Sequence, residues 1–156
     1  GIRMDEDGLI LAGEGLDQVT WMDVRVGDLL PTPRHGKPVE VNAYWYNALR
    51  IMEMFASELG MEYTGYGVLS DKVRTSFRQQ FWNEEKGCLK DLISGTKADT
   101  QIRCNQIWAV SMPFGMMDEE QERQVVRTVY EKLYTPYGLR TLEEADEEFH
   151  RFTEEK

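Results

Sequence analysis

The sequence predicts an all-α domain with about four helices joined by long ordered loops. Apolar residues recur at intervals of three and four over residues 41–59, 73–81 and 125–133, which is the spacing of one face of an α-helix. Glycines and prolines interrupt the chain between these windows, and both residue types favour turns. Because long ordered loops in a compact domain often carry function, we expect the loops to hold a site.

The first two helices follow an irregular N-terminal segment. Residues 1–37 place short apolar pairs between glycines and prolines, without a regular period. The apolar spacing then predicts a helix over residues 41–59, and Gly60 is placed to end it. A second helix is predicted after Ser70, with Gly87 closing it.

Two further helices are predicted in the second half of the chain. "CLKDLISG", residues 88–95, favours a short extended piece that ends in a turn. "RCNQIWAVSM", residues 103–112, predicts a short buried helix. Asp118 and Gln121 have the spacing of a capping box and predict the start of the last helix. "TPYGLRTL", residues 135–142, is predicted to be a loop.

Charge and composition limit the partners and the location. The 156 residues carry a net charge of −10, so the basic surface that nucleic acid or an anionic membrane requires is not expected. Seven acidic and two basic side chains lie within residues 143–156, which indicates a solvated helix face or a frayed tail. No apolar run approaches the roughly 18 residues of a membrane helix, and no signal peptide is visible. We therefore expect a cytoplasmic protein.

Several kinds of site are excluded by spacing. Gly13 and Gly15 begin like a dinucleotide motif, but Gln18 stands where the third glycine is needed. His35 and His150 lie far apart and near no cysteine pair, so a zinc site is not expected. We expect no metal and no organic cofactor.

Carboxylates beside aromatic rings remain, and they suit a sugar substrate. Glycoside hydrolysis needs one carboxylic acid and a second carboxylate, and an apolar neighbour raises the pKa of the acid. Asp23, two residues after Trp21, fits the acid role, although a capping or loop aspartate is the alternative. Glu40 and Asn42 stand where a helix begins, and they would either cap it or bind sugar hydroxyls.

Other polar residues leave two interpretations open. Arg34 lies in a basic loop that could bind hydroxyls or pair with nearby carboxylates. Arg103, Asn105 and Gln106 bring three planar polar groups into a short stretch, which suits either a binding site or a buried network that fixes helix packing. Trp45, taken alone, is more often a core residue than a sugar platform.

Four stretches of the sequence resemble the glucosidase domain of glycogen debranching enzymes. They are "DGLILAGEGLDQVTWMDVRVGDLLPTPRHGKPVEVNAYWYNAL", "QQFWNEEKGCLKDL", "IRCNQIWAVSMPF" and "LYTPYGLRTL". They occur in the order expected for the family and cover nearly the whole chain up to residue 142. Cys104 stands where the family commonly has proline.

The resemblance implies a fold, an activity and a set of site residues. The fold would be an (α/α)6 barrel, of which residues 1–142 form a portion, with residues 143–156 as an acidic tail. The activity would be inverting hydrolysis of α-1,6-linked glucose at branch points of glycogen or a related branched α-glucan. Asp23 would be the general acid and Trp21 would wall the glucose subsite. The residues that the resemblance places at or near the pocket are Arg34, Glu40, Asn42, Trp45, Arg103, Asn105, Gln106 and Arg140.

The length of the chain affects the activity and the association state that we expect of the isolated chain. It supplies roughly a third to a half of the helices that such a barrel needs, and the general base is expected outside it, with Glu40 a ligand to sugar hydroxyls. We therefore expect the chain to be inactive alone and to associate with itself through exposed apolar faces. The alternatives are a non-catalytic glucan-binding or scaffolding module, or an exo-acting glycosidase of another (α/α)6 family, such as a glucoamylase or trehalase.

Overall fold

The computed structural model describes residues 1–61 and 65–150. Four α-helices form its framework, and a 3-10 turn at Cys104–Ile107 leads into the third. The helices are α1 Val39–Glu58, α2 Tyr66–Phe81, α3 Trp108–Ser111 and α4 Glu119–Leu133. The strands are β1 Ile2–Met4, β2 Ile10–Ala12, β3 Lys37–Pro38, β4 Trp82–Asn83, β5 Cys88–Leu89, β6 Leu92–Ser94, β7 Lys97–Asp99, β8 Tyr134–Thr135 and β9 Gly138–Leu139.

The prediction of an all-α fold, and of a portion of an (α/α)6 barrel, is wrong. In the described residues, nine strands pair antiparallel in four small sheets, ordered β1-β2, β3-β6-β7, β4-β5 and β8-β9. The fold is therefore a mixture of helices and strands. Each strand has only two or three residues, which is too short for the alternation of apolar and polar residues that reveals a strand in a sequence. The segment 135–142, predicted to be a loop, contains the end of β8 and all of β9, which pair as a hairpin.

Helix α1 confirms the longest helix that the sequence predicts. It begins after Pro38, whose extended backbone precedes the first turn, and Gly60 follows its end with a φ of 68°. A φ in this range suits glycine, which has no Cβ to clash with the backbone. Val39, Ala43 and other apolar residues of one face are buried against α2. Helix α1 is thus the central element of the core.

Helices α2 and α4 complete that core. The start of α4 agrees with its prediction, whereas both ends of α2 differ from theirs. Helix α2 starts at Tyr66, before the predicted start after Ser70, and it stops at Phe81 because the chain turns there into the β4–β5 hairpin. Its Phe77 and Phe81 rings stack with centroids 4.4 Å apart. The capping box of α4 is present, because the Asp118 side chain accepts from the Gln121 amide at 2.9 Å and the reciprocal bond is also made.

Side chains of strand β3 and helix α2 hold the N-terminal segment in place. The ammonium group of Lys37 in β3 lies 2.8 Å from the carboxylate of Asp5 and 2.6 Å from that of Asp7. Gln80 of α2 also donates to the Asp7 carboxylate at 2.6 Å, and the Ser76 hydroxyl donates to the Asp7 carbonyl oxygen at 2.8 Å. The segment that contains Asp5 and Asp7 is therefore tied to β3 and α2.

A close backbone approach at Gly36 fixes the end of the loop that precedes β3. The Gly36 and Ala12 backbones exchange two hydrogen bonds of 2.7 and 2.9 Å. Gly36 has a φ of 135°, and a Cβ at this position would lie 2.3 Å from the carbonyl oxygen of Ile93. Only glycine fits this contact, which sets where Arg34, two residues earlier, enters the interior.

The described part of the chain shows no feature of a membrane span or a metal centre. None of its helices combines the length and the apolar character that crossing a bilayer requires. Within residues 1–61 and 65–150, no three His, Cys, Asp or Glu side chains are arranged to hold a metal ion.

Candidate functional site

An aromatic cavity of about 710 Å³ opens between the loop at residues 18–21, the first turns of α1 and helix α3. Its lining residues are Gln18, Val19, Thr20, Trp21, Glu40, Val41, Tyr44 and Trp108. The Tyr44 and Trp108 rings meet edge to face, with centroids 5.5 Å apart. Trp21, Tyr44 and Trp108 are 58%, 40% and 43% exposed. The cavity therefore presents aromatic surfaces to solvent beside one carboxylate, that of Glu40.

A buried guanidinium group holds that carboxylate. Arg34 donates to both Glu40 oxygens, with 2.7 Å between Nη2 and Oε2. Its Nε donates to Oδ2 of Asp91 at 2.8 Å, and all three side chains are at most 2% exposed. Burial favours a lower pKa for Arg34, but its hydrogen bonds to Glu40 and the charges of Asp91 and Glu40 outweigh it, so the pKa is raised. Two carboxylates thus share one permanently charged cation.

The same network continues to Trp21 on the opposite wall. Asn105 donates from Nδ2 to Oδ1 of Asp91 at 2.8 Å and lies 3.1 Å from the sulfur of Met22. The indole N–H of Trp21 donates to Oδ1 of Asn105 at 2.8 Å. Asn105 is 1% exposed. A continuous chain of hydrogen bonds therefore joins Glu40 to Trp21 through buried groups.

Asp23 lies behind the loop wall of the aromatic cavity and does not line it. Its Oδ2 accepts from the backbone amides of Val19 and Thr20, each at 2.9 Å, and Gln18 donates to its carbonyl oxygen. The residue is 3% exposed, and among the described residues its Oδ1 has no hydrogen-bond partner. One oxygen of this carboxylate is thus fixed by the turn, and the other accepts no hydrogen bond from the described residues.

Three residues predicted near the pocket are engaged in packing contacts. The Asn42 side chain bonds to both the amide and the carbonyl oxygen of Ile10, at 2.7 and 3.1 Å. The indole N–H of Trp45 donates to the Gly8 carbonyl oxygen at 3.0 Å. Gln106 accepts from the backbone of β5 at 3.2 Å. None of the three is among the residues that line the aromatic cavity.

The other two arginines that were predicted near the pocket do not line the aromatic cavity. Arg103 donates to Gln101 at 2.6 Å, and its Nε lies 3.8 Å from the Asp99 carboxylate. Arg140 donates to Glu144 at 2.9 Å and lines neither of the cavities described here. Arg103 does line a second, more polar cavity of about 460 Å³. The other residues of that cavity are Met22, Pro31, Thr32, Thr141, Leu142, Glu148, Phe149 and His150.

Comparison with known families agrees with the motifs in the sequence. The family model for amylo-alpha-1,6-glucosidase matches residues 1–155. The chain belongs to the amylo-alpha-1,6-glucosidase family. The resemblance to the glucosidase domain of glycogen debranching enzymes is thereby confirmed. A comparison with curated proteins found no match.

Sequence reasoning missed three residues of this cavity and its network. Asp91 is the centre of the buried network, and Tyr44 and Trp108 form part of the cavity wall. A signal for Asp91 was present, because a carboxylate between Leu89 and Leu92 in a short apolar piece must find a buried partner. Tyr44 lies within the predicted helix at residues 41–59, where nothing in the local spacing distinguishes it from a core residue. Its pKa is raised, first by burial and then by the charge of Glu40.

Proposed function

We propose that the aromatic cavity binds a terminal glucose unit of a branched α-glucan, and that the chain takes part in hydrolysing the α-1,6 bond of that unit with inversion. The observation that carries the proposal is the combination of three exposed aromatic side chains and Glu40 in one cavity, in a chain of the amylo-alpha-1,6-glucosidase family.

The chemistry of the cavity suits a sugar ring. The C–H faces of glucose are apolar and would pack on Trp21, Tyr44 or Trp108. Glu40 would accept hydrogen bonds from hydroxyl groups, since each carboxylate oxygen has two lone pairs and Arg34 occupies only one on each. Because Arg34 donates to both oxygens of Glu40 and so orients them, Glu40 is proposed as a fixed acceptor.

Asp23 is proposed as the general acid. The two backbone amides at Oδ2 leave Oδ1 as the oxygen that would carry the proton to the leaving glycosidic oxygen. Val19 and Thr20 both line the aromatic cavity and both donate to Asp23, which does not itself line it. We propose that the turn at residues 18–23 opens during proton transfer.

The general base is proposed to lie outside this chain. An inverting hydrolase needs a carboxylate that activates water and accepts its proton. Glu40 already accepts from the buried Arg34 with both oxygens, so it is proposed as a ligand to sugar hydroxyls and not as this base. We accordingly expect no turnover by the chain alone.

A non-catalytic glucan-binding module is the second candidate. It is favoured by the burial of Asp23, which is 3% exposed and lines neither cavity described here. Such a module would use the aromatic walls and Glu40 without proton transfer.

Two measurements test the proposal and separate the candidates. The first is the affinity of isomaltose, an α-1,6-linked glucose disaccharide, for the chain and for Trp21→Ala. Trp82→Ala is the matched control, because Trp82 packs beside the core and does not line the aromatic cavity. We expect binding to be lost in Trp21→Ala and retained in Trp82→Ala. Equal binding by both variants would remove the aromatic cavity as the glucose site.

The second measurement is glucose release from a phosphorylase limit dextrin. It compares the complete catalytic domain of a family member with the variant that carries the equivalent of Asp23→Asn. Loss of release in the variant supports Asp23 as the acid, and undiminished release rules it out. Release of glucose by the present chain alone would show that the base lies within it and that our assignment of Glu40 is wrong.

The net charge and the exposed apolar side chains are the basis for our proposals on location, other partners and self-association. We propose a cytoplasmic protein that binds glucan and neither nucleic acid nor membrane, given the net charge of −10. Self-association is proposed through exposed apolar side chains such as Phe55 of α1 and Tyr130 of α4, which are 48% and 66% exposed. Light scattering at increasing concentration should show a rising mass, whereas a constant monomer mass would refute self-association.

A further inference from the structure

We infer that Asp91 is the positioning residue of the aromatic cavity, orienting Glu40 through Arg34 and Trp21 through Asn105. The inference rests on the proposed function for the identity of the ligand, since it concerns the cavity to which that function is assigned. The orientation of the two walls, in contrast, is a property of the chain without ligand and can be measured separately.

The first arm runs to Glu40. Arg34 is held at Nε by Oδ2 of Asp91 and at Nη2 by the Asp91 carbonyl oxygen, at 2.8 and 3.2 Å. Its two terminal nitrogens, Nη1 and Nη2, donate to the two oxygens of Glu40. A guanidinium group is planar, so fixing the edge that binds Asp91 fixes the direction of the adjacent edge that binds Glu40. Asp91 therefore determines the plane in which Glu40 is held.

The second arm runs to Trp21. Asp91 accepts from Nδ2 of Asn105, which leaves Oδ1 of Asn105 to accept from the Trp21 indole. The partners of an amide decide which way it faces. An acceptor at position 91 is thus what directs the oxygen of Asn105 towards Trp21. Trp21 is 58% exposed, and this is the hydrogen bond that anchors its otherwise open ring.

Only a carboxylate at position 91 serves both arms. Its two oxygens both accept, whereas an amide has one acceptor and one donor. In Asp91→Asn the oxygen should face the charged Arg34, because the charge-assisted bond is the stronger one. The new amide N–H group then faces Asn105, whose amide must turn. The nitrogen of Asn105 would then meet the indole N–H of Trp21, donor against donor.

Exchanging the side chains of positions 91 and 105 should restore the hydrogen bonds to Arg34 and Trp21. In the double variant Asp91→Asn with Asn105→Asp, the amide at 91 accepts from Arg34 and donates to the carboxylate at 105. That carboxylate keeps a free oxygen for Trp21, and the total charge of the network is unchanged. Asn105→Asp alone places two carboxylates in contact, which is unfavourable. The four proteins form a double-mutant cycle.

The test is the indole N–H spectrum of the chain by two-dimensional NMR. Four tryptophans give four signals, and Trp21→Phe identifies one of them. We expect this signal to move in each single variant and to return in the double variant, while the Trp45 signal stays in place. Asp7→Asn is the matched control, since Asp7 also binds one cation and one amide but lies outside the network. It should leave the Trp21 signal unmoved.

Isomaltose affinity provides a second readout. Each single variant should bind about tenfold more weakly, as expected for one lost hydrogen bond, and the double variant should recover. A Trp21 signal that stays in place in Asp91→Asn, or that fails to return in the double variant, would overturn the inference. If Asp91→Asn does not fold, Asn105→Ala should still move the Trp21 signal, and an unmoved signal would again overturn it. Failure of the native chain to bind isomaltose would count against the proposed function and would leave the NMR test intact.

Discussion

Replacing Arg34 with methionine should produce the largest loss of stability of any single substitution discussed here. The guanidinium is 1% exposed, and its removal leaves the Glu40 and Asp91 carboxylates buried at 2% and 1% exposure without their cation. Removing one partner of a buried ion pair costs about 3–5 kcal/mol. A domain of this kind has about 5–15 kcal/mol of unfolding free energy in total. The variant should therefore be marginally folded at neutral pH.

The sign of the pH dependence distinguishes this cause from a simple loss of packing. Without Arg34, two negative charges would remain buried with no cation between them, and this destabilises the folded state relative to the unfolded chain. Acid removes negative charge from carboxylates and so weakens this destabilisation. The deficit of the variant relative to the native chain should thus shrink on acidification.

Urea unfolding at pH 7 and pH 5, followed by circular dichroism, measures both effects. Arg74→Met is the matched control, because the Arg74 side chain is 44% exposed and pairs with Asp71 on the surface. We expect the control to change stability by less than about 1 kcal/mol at either pH. A deficit of less than 1 kcal/mol for Arg34→Met, or a deficit that grows towards pH 5, would refute the reasoning.

Three further predictions concern the framework of the site. Gly36→Ala should lower the unfolding free energy in urea by about 1–3 kcal/mol, because φ is 135° and the new Cβ would meet the Ile93 carbonyl oxygen; an unchanged midpoint would contradict the contact. Asp118→Ala should cost about 1 kcal/mol through the lost cap of α4, whereas Asp118→Asn should cost little in the same assay. For Asp7, burial favours a higher pKa, but the bonds from Lys37, Gln80 and the Leu9 amide outweigh it and lower the pKa. The ionised Asp7 should therefore stabilise the folded state at neutral pH, and this contribution should fade as the pH falls through the lowered pKa. When the unfolding free energy is measured at decreasing pH, Lys37→Met should lose less of it than the native chain.

The sequence predicted the long helices because their apolar period persists over several turns. Helix α1 was visible from its period, and the start of α4 from the spacing of Asp118 and Gln121. The strands were not predictable in the same way, since each pairs two or three residues and its partner is set by tertiary packing. Local period therefore revealed the helices and concealed the small sheets.

For the candidate site, the sequence named several polar residues without revealing their contacts. Trp21 and Glu40 line one cavity, and their role in binding substrate stays a prediction. Asn42 lies beside that region, but its amide is used by the backbone of Ile10. Asp91 was missed because its partner Arg34 is 57 residues away in sequence. Whether a polar group faces a cavity or a backbone depends on such distant contacts, which no local spacing encodes.

The side chains that bind the N-terminal segment to α1 and α2 determine how this part of the protein unfolds. Ile10 has both backbone groups bonded to Asn42, and the carbonyl oxygens of Gly8 and Asp7 accept from Trp45 and Ser76. Peeling this segment away would break bonds to α1 and α2 at once. The Ile10 amide should therefore exchange with deuterium as slowly as amides in the middle of α1, so that the first dozen residues and the two long helices unfold as one cooperative unit.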